Sequence, residues 1–279
     1  MAAIVLEGGT FRPMFSCGVM DALMDNDIHF DYAIGVSAGI THGFSYFSKQ
    51  RGRAHDIIKK YRHDKRYIGF RNYLSDRSLF GLKFAYETVG NELHPFDWET
   101  FMANPIKVRV GVTNAKTGEI EYLDGKTADK TYNMLKATCA LPLAFPAIKV
   151  NEKQYFDGGI TDSIPAKKAF DDGNEKMLIV LTRTDDYVKK LSAGAKIVAK
   201  LFEKKYPEVA KALLKRHIMY NEEIDYCKKL EKDGKAIILR PSKETQIKSF
   251  EKDLDKMERV YQYGYNLAIE NLERIKGLF

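Results

Sequence analysis

The chain has 279 residues, of which 44% are hydrophobic and 30% are charged, and its formal net charge is +7. This length can bury a substantial core, either as one large domain or as one domain with a helical appendage. No apolar run approaches the roughly 18 residues of a transmembrane helix, and the N-terminus lacks the basic start of a signal peptide. The three cysteines, Cys17, Cys139 and Cys227, are far apart, which argues against a disulfide framework or a cysteine metal site. A cytoplasmic location is therefore expected.

The positive charge is concentrated in one segment. Residues 1–186 contain 24 basic and 24 acidic side chains, residues 187–235 contain 13 and 7, and residues 236–279 contain 8 and 7. A solvated helical hairpin is the simpler explanation of this surplus, and peripheral contact with an anionic membrane surface is the functional alternative. Basic and aromatic residues also cluster at residues 59–67, but no recognisable nucleic-acid module accompanies them, so no nucleic-acid partner is expected.

The first 48 residues alternate between strand and helix patterns. A short apolar strand at 3–6 is followed by two glycines, and apolar residues at helical spacing then run from 15 to 24. A second strand at 31–36 leads into a helix at 38–48. This order predicts an α/β fold with a parallel sheet.

The remaining elements are less regular. Residues 49–105 are mixed and are interpreted as an insertion or cap over the sheet edge, and residues 187–279 as a mostly helical extension packed on the α/β domain of residues 1–186. The apolar stripes of the extension are expected to pack in the core. The predicted elements after residue 105 are a hairpin (106–112 and 119–123), a helix (129–140), an extended segment (141–146), strands near 148 and at 155–157, a helix (165–170), strands at 177–181 and 236–240, and helical stretches at 197–202, 209–214 and 254–275.

A candidate nucleophile lies between the second strand and the following helix. The sequence Gly35-Val36-Ser37-Ala38-Gly39 has the strand–turn–helix context of a nucleophile elbow. Ser37 is expected to adopt strained backbone because it lies at the tip of a sharp turn. The neighbouring strand and helix can close around it only if Gly35 and Gly39 carry no side chain.

The candidate base is an aspartate and not a histidine. Of the six histidines only His94 and His217 are worth testing, and His94 precedes every good Asp candidate whereas His217 lies in a basic helical pattern. Asp157 ends an apolar strand and is followed by Gly158-Gly159, and its separation from Ser37 permits adjacent parallel strands. An ordinary Asp has a pKa near about 3.9, and burial beside Phe156 would raise it toward the range of a useful base.

A second glycine loop offers donors for an oxyanion. Gly8, Gly9 and Thr10 follow the first strand and present successive N–H groups, although a simple tight turn would have the same residues. The loop lacks the spacing of a dinucleotide-binding motif.

Taken together, Glu7-Gly8-Gly9-x-x-Arg12, Gly35-x-Ser37-x-Gly39 and Asp157-Gly158-Gly159 resemble the patatin-like phospholipases, which are lipid acyl hydrolases with a Ser–Asp dyad. The resemblance covers roughly residues 3–185. It implies a three-layer α/β/α sandwich with a mostly parallel central sheet. It also implies Ser37 as nucleophile, Asp157 as base and Gly8, Gly9 and Thr10 as oxyanion loop, with no metal and no cofactor.

Two residues depart from the family pattern. The family usually has a third glycine where this chain has Thr10, and a glycine where it has Pro13. A β-branched residue is costly if the backbone at Thr10 has φ > 0, and Pro13 has no N–H to donate. Arg12 would lie near the mouth of the site, where it could hold the loop or attract a phosphate head group.

The expected activity is hydrolysis of a lipid carboxylic ester through an acyl-Ser37 intermediate. Three alternatives stay open: an acyltransferase with the same dyad, a non-catalytic lipid-binding module with a degenerate oxyanion loop, and a nucleotide-binding domain that uses Gly8-Gly9.

Overall fold

The first strand shows why the sheet is central to the molecule. β1 is apolar at every position and all of its residues are buried, as expected of a strand covered on both faces of a parallel sheet. The computed structural model describes residues 2–279. The strands are β1 (Ala2–Leu6), β2 (Tyr32–Val36), β3 (Lys107–Asn114), β4 (Ile120–Asp124), β5 (Ile148–Val150), β6 (Lys153–Asp157), β7 (Lys176–Val180) and β8 (Ala236–Leu239).

The helices cover the sheet and its edges, and a π-helix at Lys83–Leu93 interrupts their series. The α-helices are α1 (Met14–Asp25), α2 (Ser37–Phe47), α3 (Arg53–Tyr61), α4 (Asn72–Ser75), α5 (Trp98–Ala103), α6 (Asn133–Thr138), α7 (Ala166–Asp171), α8 (Ala193–Phe202), α9 (Pro207–Lys232), α10 (Leu254–Glu270) and α11 (Leu272–Lys276).

The predicted three-layer α/β/α architecture is confirmed. Side chains of a strand alternate between the two faces of its sheet. In β1, Ile4 and Leu6 join a core with residues of α1, α2 and α10, whereas Ala3 and Val5 join a second core with residues of α7 and α9. One outer layer therefore depends on α10 and the other on α9, both from the C-terminal extension.

The central part of the sheet is parallel, in the order β3-β2-β1-β7-β8. Gly111 of β3 pairs with Val36 of β2 and with Tyr122 of β4, so β2 and β4 lie on opposite edges of β3. Val112 pairs with β4 and with Asp157 of β6. β6 must therefore lie on the same edge of β3 as β2, beyond the point where β2 ends.

This arrangement corrects one expectation. β6 is antiparallel to β3 and does not neighbour β2 as a parallel strand. β3 extends three residues past Gly111, which pairs with the last residue of β2, and the projecting part pairs with β6. The two strands thus run toward each other along one edge of β3, and Ser37 and Asp157 meet because the ends of these strands meet.

Two predicted helices are shorter in the structure. The helix predicted at 129–140 covers only Asn133–Thr138, because Asp129 accepts the amide of Thr131 in a turn and Tyr132 has φ 56°. The long terminal helix breaks at Asn271, whose side chain donates to the carbonyl of Leu267 and ends α10.

The apolar stripe predicted to be core at 197–202 is only half buried. Val198 and Phe202 pack against the core, whereas Ile197 and Leu201 are 61% and 62% exposed. None of the helices formed by residues 2–279 combines the length and the apolar character that a membrane crossing requires.

Candidate active site

Ser37 occupies a strained turn between β2 and α2. It is the first residue of α2 and has φ 55°, a conformation that costs a non-glycine residue on the order of 1–2 kcal/mol. A Cβ atom at Gly35 would lie 2.6 Å from the carbonyl oxygen of Leu6, and one at Gly39 would lie 2.3 Å from that of Glu7. The expected strain at Ser37 and the need for both glycines are confirmed.

Ser37 and Asp157 are brought into direct contact. The Ser37 hydroxyl donates to Oδ2 of Asp157 over 2.6 Å, and the two residues are only 6% and 2% exposed. The amide of Ser37 donates to Oγ1 of Thr138 over 2.8 Å, and that hydroxyl donates in turn to the carbonyl of Gly111 over 2.7 Å. The Thr138 hydroxyl therefore links the turn at Ser37 to β3 through two hydrogen bonds. No pattern in the sequence indicated this role.

The environment of Asp157 suits a proton acceptor. Burial raises its pKa to about 6, against the opposing effects of the Ser37 hydroxyl, the positive charge of Arg216 and the Gly159 amide. The second carboxylate oxygen accepts from the amide of Gly159 over 2.8 Å. At pH 7 the carboxylate is mostly ionised, and its pKa is close enough to neutrality for it to take up and release a proton during a reaction.

The glycine loop approaches Ser37 at Gly8. A Cβ atom at Gly8 would lie 2.7 Å from Cβ of Ser37 and 3.5 Å from its hydroxyl oxygen. Within residues 2–279, the amides of Gly8, Gly9 and Thr10 donate to no acceptor. Thr10 has φ 58°, so the β-branched residue does occupy a position that favours glycine. Three N–H groups without an acceptor thus belong to a loop that lines the same cavity as the serine, and one of them is on a residue with strained backbone.

Arg12 is almost fully buried and packs against the glycine loop, where its hydrogen bonds hold the loop in place. Its guanidinium donates to Oγ1 of Thr182 over 3.2 Å and to the hydroxyl of Ser249. Oε1 of Glu7 lies 4.0 Å from the Arg12 guanidinium, and Oε2 accepts the Thr182 amide over 2.6 Å. Pro13 precedes the first turn of α1, where a missing N–H leaves no helical hydrogen bond unmade.

Two cavities of different character meet at the serine, and Thr10, Ser37 and Leu141 line both. The apolar cavity lies between α2, α3 and the π-helix. Its lining includes Ala38, Phe44, Ile58, Ala85, Val89 and Phe145. The cationic cavity lies on the other side of the serine. Its lining includes Arg12, Asp157, Arg183, Lys189, Arg216 and Tyr220.

Neither histidine considered from the sequence lines either cavity. His42 does line the apolar cavity, where burial lowers its pKa to about 4 and keeps the ring neutral at pH 7. Within residues 2–279, no group of three or more His, Cys, Asp or Glu side chains is arranged to hold a metal ion.

Three cations of the cationic cavity were not singled out from the sequence. Arg183 follows β7, and a residue after a parallel strand falls at the same sheet edge as Gly8 and Ser37, so this position could have been inferred. Lys189 and Arg216 are 2 of the 13 basic residues of one segment, and nothing in the pattern distinguishes them from the other basic residues.

Two family models match the chain. The model described as Patatin-like phospholipase matches residues 4–170, the region that contains the serine, the aspartate and the glycine loop. The model described as Domain of unknown function (DUF6363) matches residues 206–279.

Curated relatives and solved structures give weaker similarities. A protein of Escherichia coli K12 named Uncharacterized protein YjjU is 23% identical over 194 residues, 64% of this chain and 51% of that protein. Lysophospholipase NTE1 of Yarrowia lipolytica is 24% identical over 174 residues, 59% of this chain and 11% of that protein. The crystal structure of VipD from Legionella pneumophila superposes with a TM-score of 0.48 at 13% identity, over 98% of this chain and 66% of that one. The matched region thus spans about half of the first relative and about a tenth of the second.

Proposed function

The chain belongs to the patatin-like phospholipase family, and from this premise we propose that it hydrolyses a lipid carboxylic ester through an acyl-Ser37 intermediate. The observation that carries the proposal is the 2.6 Å hydrogen bond from the Ser37 hydroxyl to Asp157. The same cavity is lined by a loop whose three amides donate to no acceptor in the described chain. A nucleophile, a base and oxyanion donors are the three components that acyl transfer requires.

In the acylation step, Asp157 takes the proton of the Ser37 hydroxyl while the oxygen attacks the ester carbonyl carbon. The carbonyl oxygen becomes negative and accepts hydrogen bonds from the amides of Gly8, Gly9 and Thr10. Removal of a single oxyanion donor from a serine protease costs roughly 2.7–4 kcal/mol of transition-state stabilisation. Collapse of the tetrahedral intermediate breaks the ester bond, and the leaving alcohol receives the proton from Asp157.

Deacylation repeats these steps with a different nucleophile. Asp157 accepts a proton from water as the water oxygen attacks the acyl carbon, and the proton then returns to the Ser37 oxygen as the fatty acid leaves. The apolar cavity on one side of Ser37 suits the acyl chain of a lipid, because burial of each methylene contributes about 0.8 kcal/mol. An alcohol in place of the attacking water would make the same site an acyltransferase.

We also propose that the protein contacts the lipid surface through an exposed apolar patch formed by Phe70, Tyr73, Leu74 and Leu143. Phe70 and Leu74 are 84% and 89% exposed, and the Tyr73 hydroxyl donates to the carbonyl of Leu143 over 2.6 Å. Leu143 lies two residues after Leu141, which lines both cavities. Exposed aromatic and leucine side chains near an apolar cavity are typical of an interfacial contact.

Labelling of the serine tests the proposed function. A fluorophosphonate probe should label the wild type, and Ser37→Ala should remove the label and reduce ester hydrolysis at least about 10³-fold. Asp157→Asn should lose turnover to a similar extent and keep the fold, because the amide can replace both hydrogen bonds of the carboxylate. Undiminished hydrolysis by Ser37→Ala would refute the proposal. Product analysis with an added alcohol separates hydrolysis from acyl transfer.

A further inference from the structure

The cationic cavity contains more positive charge than the dyad requires. Arg12 is committed to Glu7, Thr182 and Ser249 beneath the glycine loop. Arg183, Lys189 and Arg216 also line the cavity. Within residues 2–279, no carboxylate oxygen lies within 4.0 Å of a charged nitrogen of these three residues. Buried or partly buried cations are normally paired, so their lack of a carboxylate partner calls for a ligand.

Each of the three side chains is held in place by other contacts. The Arg183 guanidinium lies 4.3 Å from the ring centroid of Tyr187, and its buried Nε has no hydrogen-bond partner among the described residues. The Lys189 ammonium lies 4.3 Å from the ring centroid of Tyr220. Arg216 donates to the carbonyl of Gly159, two residues after the candidate base. These contacts orient the cations without neutralising them.

The cations also repel one another. Burial and the charge of Arg216, with smaller contributions from Arg12 and Arg183 and against the opposing charge of Glu7, lower the pKa of Lys189 to about 7. Glu7 and Asp157 also line the cavity, so four basic side chains face two carboxylates. A concave site with an excess of positive charge attracts an ion of the opposite sign. An anion bound here would relieve the repulsion between these side chains.

We propose that Arg183, Lys189 and Arg216 form a subsite for a phosphoryl group of the ester substrate, opposite the apolar cavity that takes the acyl chain. This inference rests on the proposed function. Guanidinium groups bind phosphate oxygens through paired, charge-assisted hydrogen bonds, and three cations match a phosphomonoester or phosphodiester better than a single carboxylate. The substrate class is thus an acyl ester whose alcohol carries phosphate.

All three residues lie beyond residues 4–170, the part matched by the patatin-like model. Arg216 is in α9, inside residues 206–279, which match the domain of unknown function. The structure thus gives that domain a role, because α9 places a cation beside Asp157 and completes the subsite.

Three substrates with the same oleoyl chain test the subsite: 1-monooleoylglycerol, 1-oleoyl lysophosphatidic acid and 1-oleoyl lysophosphatidylcholine, all below their aggregation limits. We expect the wild type to have a higher kcat/KM for the two phosphate-bearing esters than for the neutral ester. Lys189→Gln and Arg183→Gln should each lower the ratio of kcat/KM for lysophosphatidic acid to that for monooleoylglycerol about tenfold, the loss of one charge-assisted contact. The matched control is Lys190→Gln, an exposed neighbour outside both cavities that should leave the ratio unchanged.

The outcomes separate the subsite from the dyad. If the wild type cleaves monooleoylglycerol in a Ser37-dependent manner and the ratio does not change in either variant, the subsite is refuted and the proposed function stands. If no substrate is cleaved and no probe labels Ser37, the proposed function itself fails. Calorimetry on Ser37→Ala distinguishes a free anion from a head group. Binding of inorganic phosphate in the cluster without any head-group effect on turnover would make it an effector site and overturn the substrate assignment.

Discussion

The carboxyl group of Asp157 combines two requirements that oppose each other. Burial raises its pKa to about 6, which makes it a better base than an ordinary aspartate and also makes its ionised form costly in the folded protein. An apolar residue at this position would pack in the core without the cost of a buried charge. The pH dependence of activity and that of stability should both report it.

For activity, we expect kcat/KM on a neutral ester to fall about tenfold per pH unit below the pKa of about 6, because only ionised Asp157 accepts the Ser37 proton. A neutral substrate is needed, because Lys189 also titrates near pH 7. A rate independent of pH between 4 and 7 would contradict the assignment of Asp157 as base.

For stability, the sign follows from proton uptake. Between about pH 4 and pH 6 the folded protein holds a proton on Asp157 that the unfolded chain releases, so the free energy of unfolding falls as pH rises through this window. Above pH 6 the folded protein bears the full free-energy cost of the ionised, buried Asp157 carboxylate. Asp157→Asn should therefore raise the free energy of unfolding at pH 7 by up to about 3 kcal/mol, and the gain should disappear near pH 4. Urea unfolding at the two pH values measures this difference.

Substitution of Thr10 tests whether its strained backbone and its side chain are needed for the reactivity of Ser37. Its φ of 58° costs a β-branched residue on the order of 1–2 kcal/mol, whereas glycine adopts this conformation freely. We expect Thr10→Gly to match or exceed the wild type in free energy of unfolding and to keep fluorophosphonate labelling, because the amide donor remains. Thr10→Val retains the branched Cβ and is the matched control, which should not gain stability. Loss of labelling in Thr10→Gly alone would mean that the side chain, not the amide, is needed.

At the scale of elements, the segment 49–105 is better described as the wall of the apolar cavity than as a simple cap. α3 contributes Ile58 and the π-helix contributes Ala85 and Val89, opposite Phe44 of α2. A π-helix of this length is rare, and such segments occur often at functional sites. Because these residues form the wall of the apolar cavity, the length of the cavity should set the acyl-chain preference.

A single substitution in the π-helix tests this. Ala85→Phe should fill part of the cavity and shift the kcat/KM preference from oleoyl toward butyryl esters at least about tenfold, since each excluded methylene loses a fraction of its binding energy. Ala85→Ser adds one oxygen atom and is the control for a change at this position. If the chain-length preference is the same in all three proteins, the acyl chain binds elsewhere.

At the scale of the whole molecule, the C-terminal region is integral to the fold. α10 crosses α1 so closely that a Cβ at Gly18 would lie 2.0 Å from the carbonyl of Tyr261, and one at Gly264 would lie 2.2 Å from that of Phe15. On the other face, Glu223 of α9 accepts the amides of Ser163 and Ile164 in the turn after Asp157.

Phe70 and Leu74 near Leu143, and Ile197 and Leu201 on α8, are two pairs of large apolar side chains that are exposed in the structure. Phe70→Ser combined with Leu74→Ser should weaken sedimentation with vesicles of phosphatidylcholine and phosphatidylglycerol about tenfold or more, because two large side chains lose their apolar burial. The matched control is Ile197→Ser with Leu201→Ser on α8, in the basic segment. Weaker binding in the α8 variant alone would assign the contact to that helix instead.

Local sequence determined the alternation of strand and helix in the first 48 residues and the chemistry of the motifs. Gly35-x-Ser37-x-Gly39 predicts its own strained turn because the steric demand is met by residues adjacent in the chain. The alternation of strands and helices likewise predicts a parallel sheet, and the three motifs together resemble one family. These features depend on neighbours within a few residues, which a sequence displays directly.

Only the tertiary structure decided how distant residues meet. Asp157 reaches Ser37 because β6 continues along the edge of β3 where β2 stops, a register that no local pattern encodes. Lys189 and Arg216 differ from the other basic residues of their segment only by facing the cavity beside the dyad. The exposed side of α8 shows the same limit, because whether an apolar stripe is covered depends on what packs against it.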